Sequence, residues 1–189
     1  DKVRALDMCG FTANKPVIMV IGGSQGAASV NKAVRDALPA LLKDFQVVHL
    51  CGKDKMDNLL LNTPGYKQFE YLKAELKDVF AMADLVISRA GANAICELLA
   101  LGKPNILIPL PSSKSRGDQL LNARSFEAQG FSMVVDEDDL TDTLLVEKVQ
   151  ELYCNRQSYI SAMKQSHQLS AISTIMDLIN DMVKEKDEQ

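Results

Sequence analysis

Short apolar runs alternate along the chain with longer stretches in which apolar residues recur at helical spacing. The run from Val17 to Ile21 contains no polar residue, which is typical of a strand covered on both faces of a parallel sheet. In the stretch that follows, Val30, Val34 and Leu38 fall on one side of a helix. The pattern predicts strands over residues 17–21, 46–50, 66–72, 85–88, 105–110 and 131–135.

Helical patterns separate these runs and continue after the last of them. They predict helices after the first strand and over residues 54–61, 75–83, 92–101, 118–129, 141–153 and 156–183. Such alternation predicts an α/β fold, a Rossmann-like doubly wound parallel sheet of about six strands. Ligands of such sheets bind beyond the carboxyl ends of the strands.

The two ends of the chain differ from this pattern. Residues 1–15 show no clear periodicity and are expected to form a linker, and residues 184–189 a charged tail. The domain is therefore predicted over residues 16–183. A chain that opens on a linker is expected to be one half of a larger protein.

Composition narrows the class of protein. The net charge of −4 argues against a nucleic-acid groove, which is basic. Apolar runs fall short of the roughly 20 residues that a membrane-spanning helix needs, and the first residues do not open a signal peptide. The four cysteines form no CxxC pair, which fits reduced thiols and makes a zinc cluster improbable. Cys96, among apolar neighbours, is expected in the core.

The turn after the first strand is the strongest candidate for a binding site. Gly22, Gly23 and Gly26 permit backbone angles and close approaches that a Cβ would block. The helix that follows begins with unpaired N–H groups and the positive end of its dipole, which suits a phosphate or diphosphate. Ser24 and Gln25 can add side-chain donors.

Three chemistries compete for this turn. A P-loop requires a lysine before the helix, and none occurs between Gly22 and Asn31. A dinucleotide site favours G-x-G-x-x-G and an acidic residue after the next strand, whereas here the spacing is G-G-x-x-G and that strand ends in Leu50-Cys51-Gly52-Lys53. In a nucleotide-sugar site the turn binds phosphates and a carboxylate elsewhere binds the ribose diol.

Glu97 is a candidate for that carboxylate. It is the one charged side chain between Ala90 and Gly102, on a helix whose other positions are small, aliphatic or uncharged. Burying such an acid is costly unless it meets donors, and ribose hydroxyls supply two. The residue pattern is equally compatible with Glu97 on the solvent face of an amphipathic helix.

Other polar residues have structural alternatives to a binding role. Asp118 opens a helix, so capping is the better reading of its chemistry. Gln119 and Asn122 could bind hydroxyls or face solvent. Lys114 and Arg116 could neutralise a diphosphate, although a solvated loop is favoured. His49 lies inside an apolar strand and is expected to be a hydrogen-bonded core histidine.

Four motifs together resemble the C-terminal half of the MurG glycosyltransferases, in order and at compatible spacing from residue 16 onward. They are Gly22-Gly23-Ser24-Gln25-Gly26-Ala27, then Ala83-Asp84-Leu85-Val86-Ile87-Ser88-Arg89-Ala90-Gly91-Ala92, Glu97-Leu98-Leu99-Ala100-Leu101-Gly102-Lys103-Pro104 and Asp118-Gln119-Leu120-Leu121-Asn122-Ala123. The resemblance implies one half of a GT-B fold and transfer of N-acetylglucosamine from UDP-GlcNAc to lipid I, which gives lipid II for peptidoglycan. It also implies a peripheral protein at the cytoplasmic side of the bacterial membrane.

By matching positions, the resemblance implies that Ser24 contacts the donor near its phosphates and that the backbone of Leu72 pairs with uracil. Glu97 would bind the ribose, and Gln119 would reach the sugar. Asp118 stands where some members have glutamine. The implied donor-site positions are Gly23, Ser24, Gln25, Gly26, Leu72, Ala92, Asn93, Ala94, Ile95, Cys96, Glu97, Asp118, Gln119 and Asn122.

The resemblance implies no metal and no cofactor, because a helix N-terminus can stabilise the departing diphosphate. The family's N-terminal domain, which receives lipid I, meets the membrane and supplies the general base, has no counterpart in this sequence. No catalytic residue is therefore expected here, and the chain alone should bind UDP-GlcNAc weakly and catalyse nothing. The alternatives are another GT-B enzyme, such as a glycolipid glycosyltransferase or a UDP-GlcNAc 2-epimerase, and a stand-alone nucleotide-binding subunit of a split glycosyltransferase.

Overall fold

The computed structural model describes residues 1–23, 26–114 and 117–166. Its strands are β1 (Val17–Ile21), β2 (Gln46–Leu50), β3 (Tyr66–Phe69), β4 (Leu85–Ser88), β5 (Asn105–Leu107) and β6 (Met133–Val134). Its α-helices are α1 (Lys2–Cys9), α2 (Ala28–Asp44), α3 (Leu76–Met82), α4 (Ala92–Ala100), α5 (Asp118–Ala128) and α6 (Asp142–Lys164), and two 3₁₀ turns span Asn58–Leu60 and Glu137–Asp139.

The six strands form one parallel sheet in the order β3-β2-β1-β4-β5-β6. The order reverses direction between β1 and β4, because the chain builds outward first on one side of β1 and then on the other. Val17, Ile18, Met19 and Val20 of β1 are fully buried at the centre of the sheet. The predicted doubly wound parallel sheet is therefore confirmed.

Helices cover both faces of the sheet, and each face has its own apolar core. One core includes Met19 of β1 with side chains from α1, α3, α4 and α5. The other includes Ile18 and Val20 of β1 with side chains from α2 and α6. Alternate residues of β1 point into opposite cores, which explains why its sequence has no polar face. In the described residues, no helix combines the length and apolar character required to cross a membrane.

Residues 1–15, expected to form a linker without periodicity, contain the helix α1. Asp1 caps it by accepting hydrogen bonds from the backbone N–H groups of Val3 and Arg4. Gly10 ends it in a left-handed conformation. The buried side chains of Ala5 and Cys9 pack in the core that α3 also lines. The helix is short, so its two caps were a stronger signal than periodicity.

Two further helix predictions differ from the structure. The helix expected over residues 54–61 is only the 3₁₀ turn Asn58–Leu60, which begins where the Asp57 carboxylate accepts from the Leu59 N–H. The two helices expected after residue 140 are continuous in α6 through Lys164. At the expected break, the Asn155 side chain donates back to the Glu151 carbonyl, within the helix. Residues 167–183 lie outside the described part.

Candidate nucleotide-sugar site

A cavity of about 470 Å³ opens at the carboxyl ends of β1 and β4, where the strand order reverses. Open α/β sheets bind their ligands at this position. The turn after β1 forms one wall, and α4, the start of α5 and the 3₁₀ turn after β6 contribute the others. Residues from distant parts of the chain that line it include Gly22, Gly23, Gly26, Glu97, Gln119 and Glu137.

The glycine turn has its shape because a side chain at two of its glycines would clash with the backbone. Gly26 has φ +67°, and a Cβ there would lie 1.9 Å from the carbonyl oxygen of Cys51. A Cβ on Gly22 would lie 2.8 Å from the backbone nitrogen of Ala27. The close approach brings the N-terminus of α2 to the cavity, where Ala27 at the N-cap position has no side chain that could cap the helix. Ser24 and Gln25 lie outside the described residues.

A buried hydrogen-bond network fixes the strand end against which this turn packs. The Asn31 side-chain amide donates to the Cys51 carbonyl oxygen over 2.9 Å, so its Oδ1 is left to accept from His49 Nε2, also 2.9 Å away. His49 Nδ1 then accepts from the Tyr66 hydroxyl. Burial, with a smaller contribution from the Arg35 charge, lowers the pKa of His49 to about 3. The expected core histidine is confirmed, and it is neutral at physiological pH.

Glu97 lines the same cavity as the glycine turn. It lies on the exposed side of α4, next to cavity residues Ala94 and Leu98. The carboxylate and the turn are therefore on one side of the sheet, which is the arrangement that a shared ligand requires.

The other implicated positions on α4 divide between its faces. Ala94 lines the cavity, whereas Ala92 and Asn93 are exposed outside the lining. Ile95 is buried in the core, so a ligand could reach only its backbone. Cys96 is exposed, and the expectation of a core cysteine was wrong. In a short helix of mostly apolar residues, the sequence did not indicate which face was buried.

The positions on α5 are also distributed over different surroundings. Gln119 lines the cavity, and its Oε1 accepts from the Leu110 N–H over 3.2 Å. Asn122 donates to the Ala90 carbonyl and so joins α5 to the turn after β4. The expectation that Asp118 caps the helix was wrong, because Gly117 occupies the N-cap with φ +86° and Asp118 is the exposed first helical residue.

Leu72, implicated through its backbone, follows β3 beyond the sheet's carboxyl edge. Its half-buried side chain packs against the core that α3 shares. Leu72 does not line the 470 Å³ cavity. The lining residue nearest to it in sequence is Phe80 of α3.

Sequence reasoning missed an ion-pair cluster in the cavity. Arg89 donates to the carbonyl oxygen of Ile108 and to the Ser29 hydroxyl, and its Nη2 forms an ion pair with Glu137 Oε2. Lys114 Nζ lies 2.8 Å from the other oxygen of Glu137. Arg89 follows β4 and Glu137 follows β6, so their positions at strand carboxyl ends were a signal that could have found them.

Glu137 carries a negative charge in this cluster. Burial by itself raises its pKa, but the hydrogen bond from Lys114 and the adjacent charge of Arg89 oppose burial, and the net shift of the pKa is downward. Within residues 1–23, 26–114 and 117–166, no group of three or more His, Cys, Asp or Glu residues could hold a metal ion.

The parallel sheet, the glycine turn and the cavity at the point of strand reversal define a Rossmann-like α/β domain of the kind that forms half of a GT-B fold. Residues 17–180 match the family described as glycosyltransferase family 28 C-terminal domain. The chain belongs to this family, and the resemblance noted in the sequence is confirmed.

Two bacterial relatives are each named UDP-N-acetylglucosamine--N-acetylmuramyl-(pentapeptide) pyrophosphoryl-undecaprenol N-acetylglucosamine transferase. The protein of Lachnospira eligens is 58% identical over 97% of this chain and 52% of its own length. That of Lachnoclostridium phytofermentans is 57% identical over 96% of this chain and 51% of its own. The crystal structure of Acinetobacter baumannii MurG has the same fold, with a TM-score of 0.70 at 24% identity, over 94% of this chain and 53% of that one. The chain thus spans about half the length of these relatives.

Proposed function

We propose that the chain is the donor-binding half of an inverting glycosyltransferase that transfers N-acetylglucosamine from UDP-GlcNAc to lipid I. The names of the two relatives support this substrate pair. The observation that carries the proposal is that the glycine turn and the Glu97 carboxylate line one cavity at the point of strand reversal.

The roles of the residues follow from the chemistry of a nucleotide-sugar. The diphosphate would lie at the turn of Gly23, Ser24, Gln25 and Gly26, where the N-terminus of α2 favours negative charge. Glu97 would accept hydrogen bonds from the ribose hydroxyls, which are good partners for a carboxylate. Further contacts are proposed for the Leu72 backbone with uracil, for Gln119, Asp118 and Asn122 around the sugar, and for Ala92, Asn93, Ala94, Ile95 and Cys96 along the nucleotide.

Catalysis by this half would consist of binding and electrostatics. Negative charge builds up on the diphosphate as the glycosidic bond to UDP breaks, and preorganised N–H groups and a helix dipole stabilise such charge. Arg89 and Lys114 add two cations to the same cavity. The acceptor, its general base and contact with the membrane surface would belong to the other half of the full-length protein. The chain alone would therefore bind the donor without transferring the sugar.

Isothermal titration calorimetry with UDP, UDP-GlcNAc and ADP tests this function. We expect both uridine ligands to bind and ADP to bind more weakly. Glu97→Ala should weaken UDP by about tenfold to a hundredfold, because a charged hydrogen-bond acceptor is lost. Glu147→Ala, which removes an exposed glutamate from α6, is the matched control and should change nothing.

A second ligand separates loss of a ribose contact from general damage. The wild-type chain should prefer UDP to 2′-deoxy-UDP, and Glu97→Ala should largely abolish that preference. If Glu97→Ala binds both ligands as tightly as the wild-type chain does, Glu97 lies on a solvent face and the ribose assignment is wrong. If the wild-type chain binds no uridine nucleotide, the proposed function fails.

A further inference from the structure

The carboxylate of Glu137 is unusual for a cavity that is proposed to receive a diphosphate. Its side chain is only 6% exposed and contacts two cations of the cavity wall. Arg89, at 11% exposure, is nearly as buried, whereas Lys114 is 62% exposed. The cluster therefore has a buried part, Arg89 with Glu137, and one cation that solvent reaches.

Arg89 has enough partners to keep its place. Its Nη1 donates to the carbonyl oxygens of Ile108, at 3.0 Å, and Pro109, at 3.3 Å, and its Nη2 to the Ser29 hydroxyl at 3.2 Å. These contacts connect it to the chain that continues β5 and to the first turn of α2. Neutralising Glu137 would therefore leave Arg89 anchored, while the net charge of the cavity became more positive.

The donor and the product of the proposed transfer differ in charge at one place. In a UDP-sugar the outer phosphate is bonded to both the inner phosphate and the sugar, and it carries one negative charge. After the glycosidic bond breaks, the outer phosphate of UDP is a terminal phosphate that ionises a second time with a pKa near 6. UDP therefore carries about one more negative charge than UDP-GlcNAc at neutral pH, and a fixed carboxylate nearby repels UDP more strongly.

We propose that the buried Glu137 carboxylate, held between Arg89 and Lys114, makes the cavity favour the diphosphate diester of the donor over the terminal phosphate of the product. This inference rests on the proposed function, because it requires a uridine diphosphate at the glycine turn. The cavity would therefore distinguish UDP-GlcNAc from UDP by charge, and the Glu137 carboxylate would assist release of UDP.

Glu137→Gln tests the proposal, because it keeps the shape and removes the charge. We expect calorimetry to show tighter binding of UDP, with the ratio of the UDP to the UDP-GlcNAc affinity increased at least about threefold over the wild-type chain. Asp139→Asn, an exposed residue of the same 3₁₀ turn, removes the same charge outside the cavity and should leave the ratio unchanged.

A second variant keeps the test decisive if Glu137→Gln does not fold. Lys114 is exposed, so Lys114→Gln should not disturb folding, and the loss of its charge should weaken UDP more than UDP-GlcNAc by a similar factor. An unchanged ratio in the folded variants, or a ratio that moves the opposite way, overturns the inference while leaving the proposed function intact. Absence of uridine-nucleotide binding by the wild-type chain would instead refute the proposed function.

Discussion

Gly26 shows how one residue sets the shape of the cavity. Its left-handed backbone and its contact with the Cys51 carbonyl exclude any side chain, and together they bring the start of α2 to the ends of the strands. The two constraints are independent, since one concerns φ and the other concerns space. A substitution at this position must therefore move the backbone of the turn.

We expect Gly26→Ala to reduce the free energy of unfolding by at least about 2 kcal/mol, through backbone strain and the clash with Cys51. It should also weaken UDP binding. Urea denaturation and calorimetry measure the two effects. Gly91→Ala is the control for stability, because Gly91 has φ −66° and a Cβ there would have nothing within 4 Å. Equal stability of the two variants would contradict the role given to Gly26.

Among the secondary-structure elements, His49 connects β2, β3 and α2 through hydrogen bonds. It lies in β2, accepts from Tyr66 of β3 and donates to Asn31 of α2, which in turn binds the Cys51 carbonyl. Each member is buried, so each hydrogen bond replaces one that water would otherwise make. The network therefore connects the helix that begins at the glycine turn to the sheet.

The low pKa of His49 predicts a pH dependence of stability. The folded chain leaves His49 neutral down to about pH 3, whereas the unfolded chain takes up a proton below about pH 6.5. Stability from this group is complete above pH 6.5 and falls by about 1.4 kcal/mol per pH unit below it. His49→Gln should show a shallower decline between pH 6 and pH 4 in urea denaturation, whatever its stability at pH 7. Parallel pH profiles would show that His49 is not neutral in the folded chain.

At the scale of the whole molecule, much of the architecture could be predicted from the sequence. The six strands and their parallel direction follow from the apolar runs and from their alternation with helices. Both patterns reflect burial on two faces of a sheet. The glycine turn was recognisable because several glycines directly after a strand indicate a tight turn with close backbone contacts. Glu97 could be singled out because charge is rare on an apolar helix.

What the sequence did not indicate depends on contacts between distant segments. The Arg89–Glu137 pair forms because β4 and β6 flank β5, and neither residue has a local signal of its partner. The exposure of Cys96 depends on which side of α4 meets the core. Helix α1 was missed because eight residues are too few to show a clear helical period. The helix is stabilised by its caps and by packing in the core that α3 shares.

The proposed function requires that the turn after β1 and the acid on α4 bind two ends of one uridine diphosphate. A crystal structure of the 189-residue chain grown with UDP tests it most directly. We expect the diphosphate within hydrogen-bond distance of backbone N–H groups around Gly23 and Gly26, and the ribose hydroxyls within hydrogen-bond distance of Glu97. UDP bound elsewhere on the domain, or bound at the turn with its ribose directed away from Glu97, would contradict it.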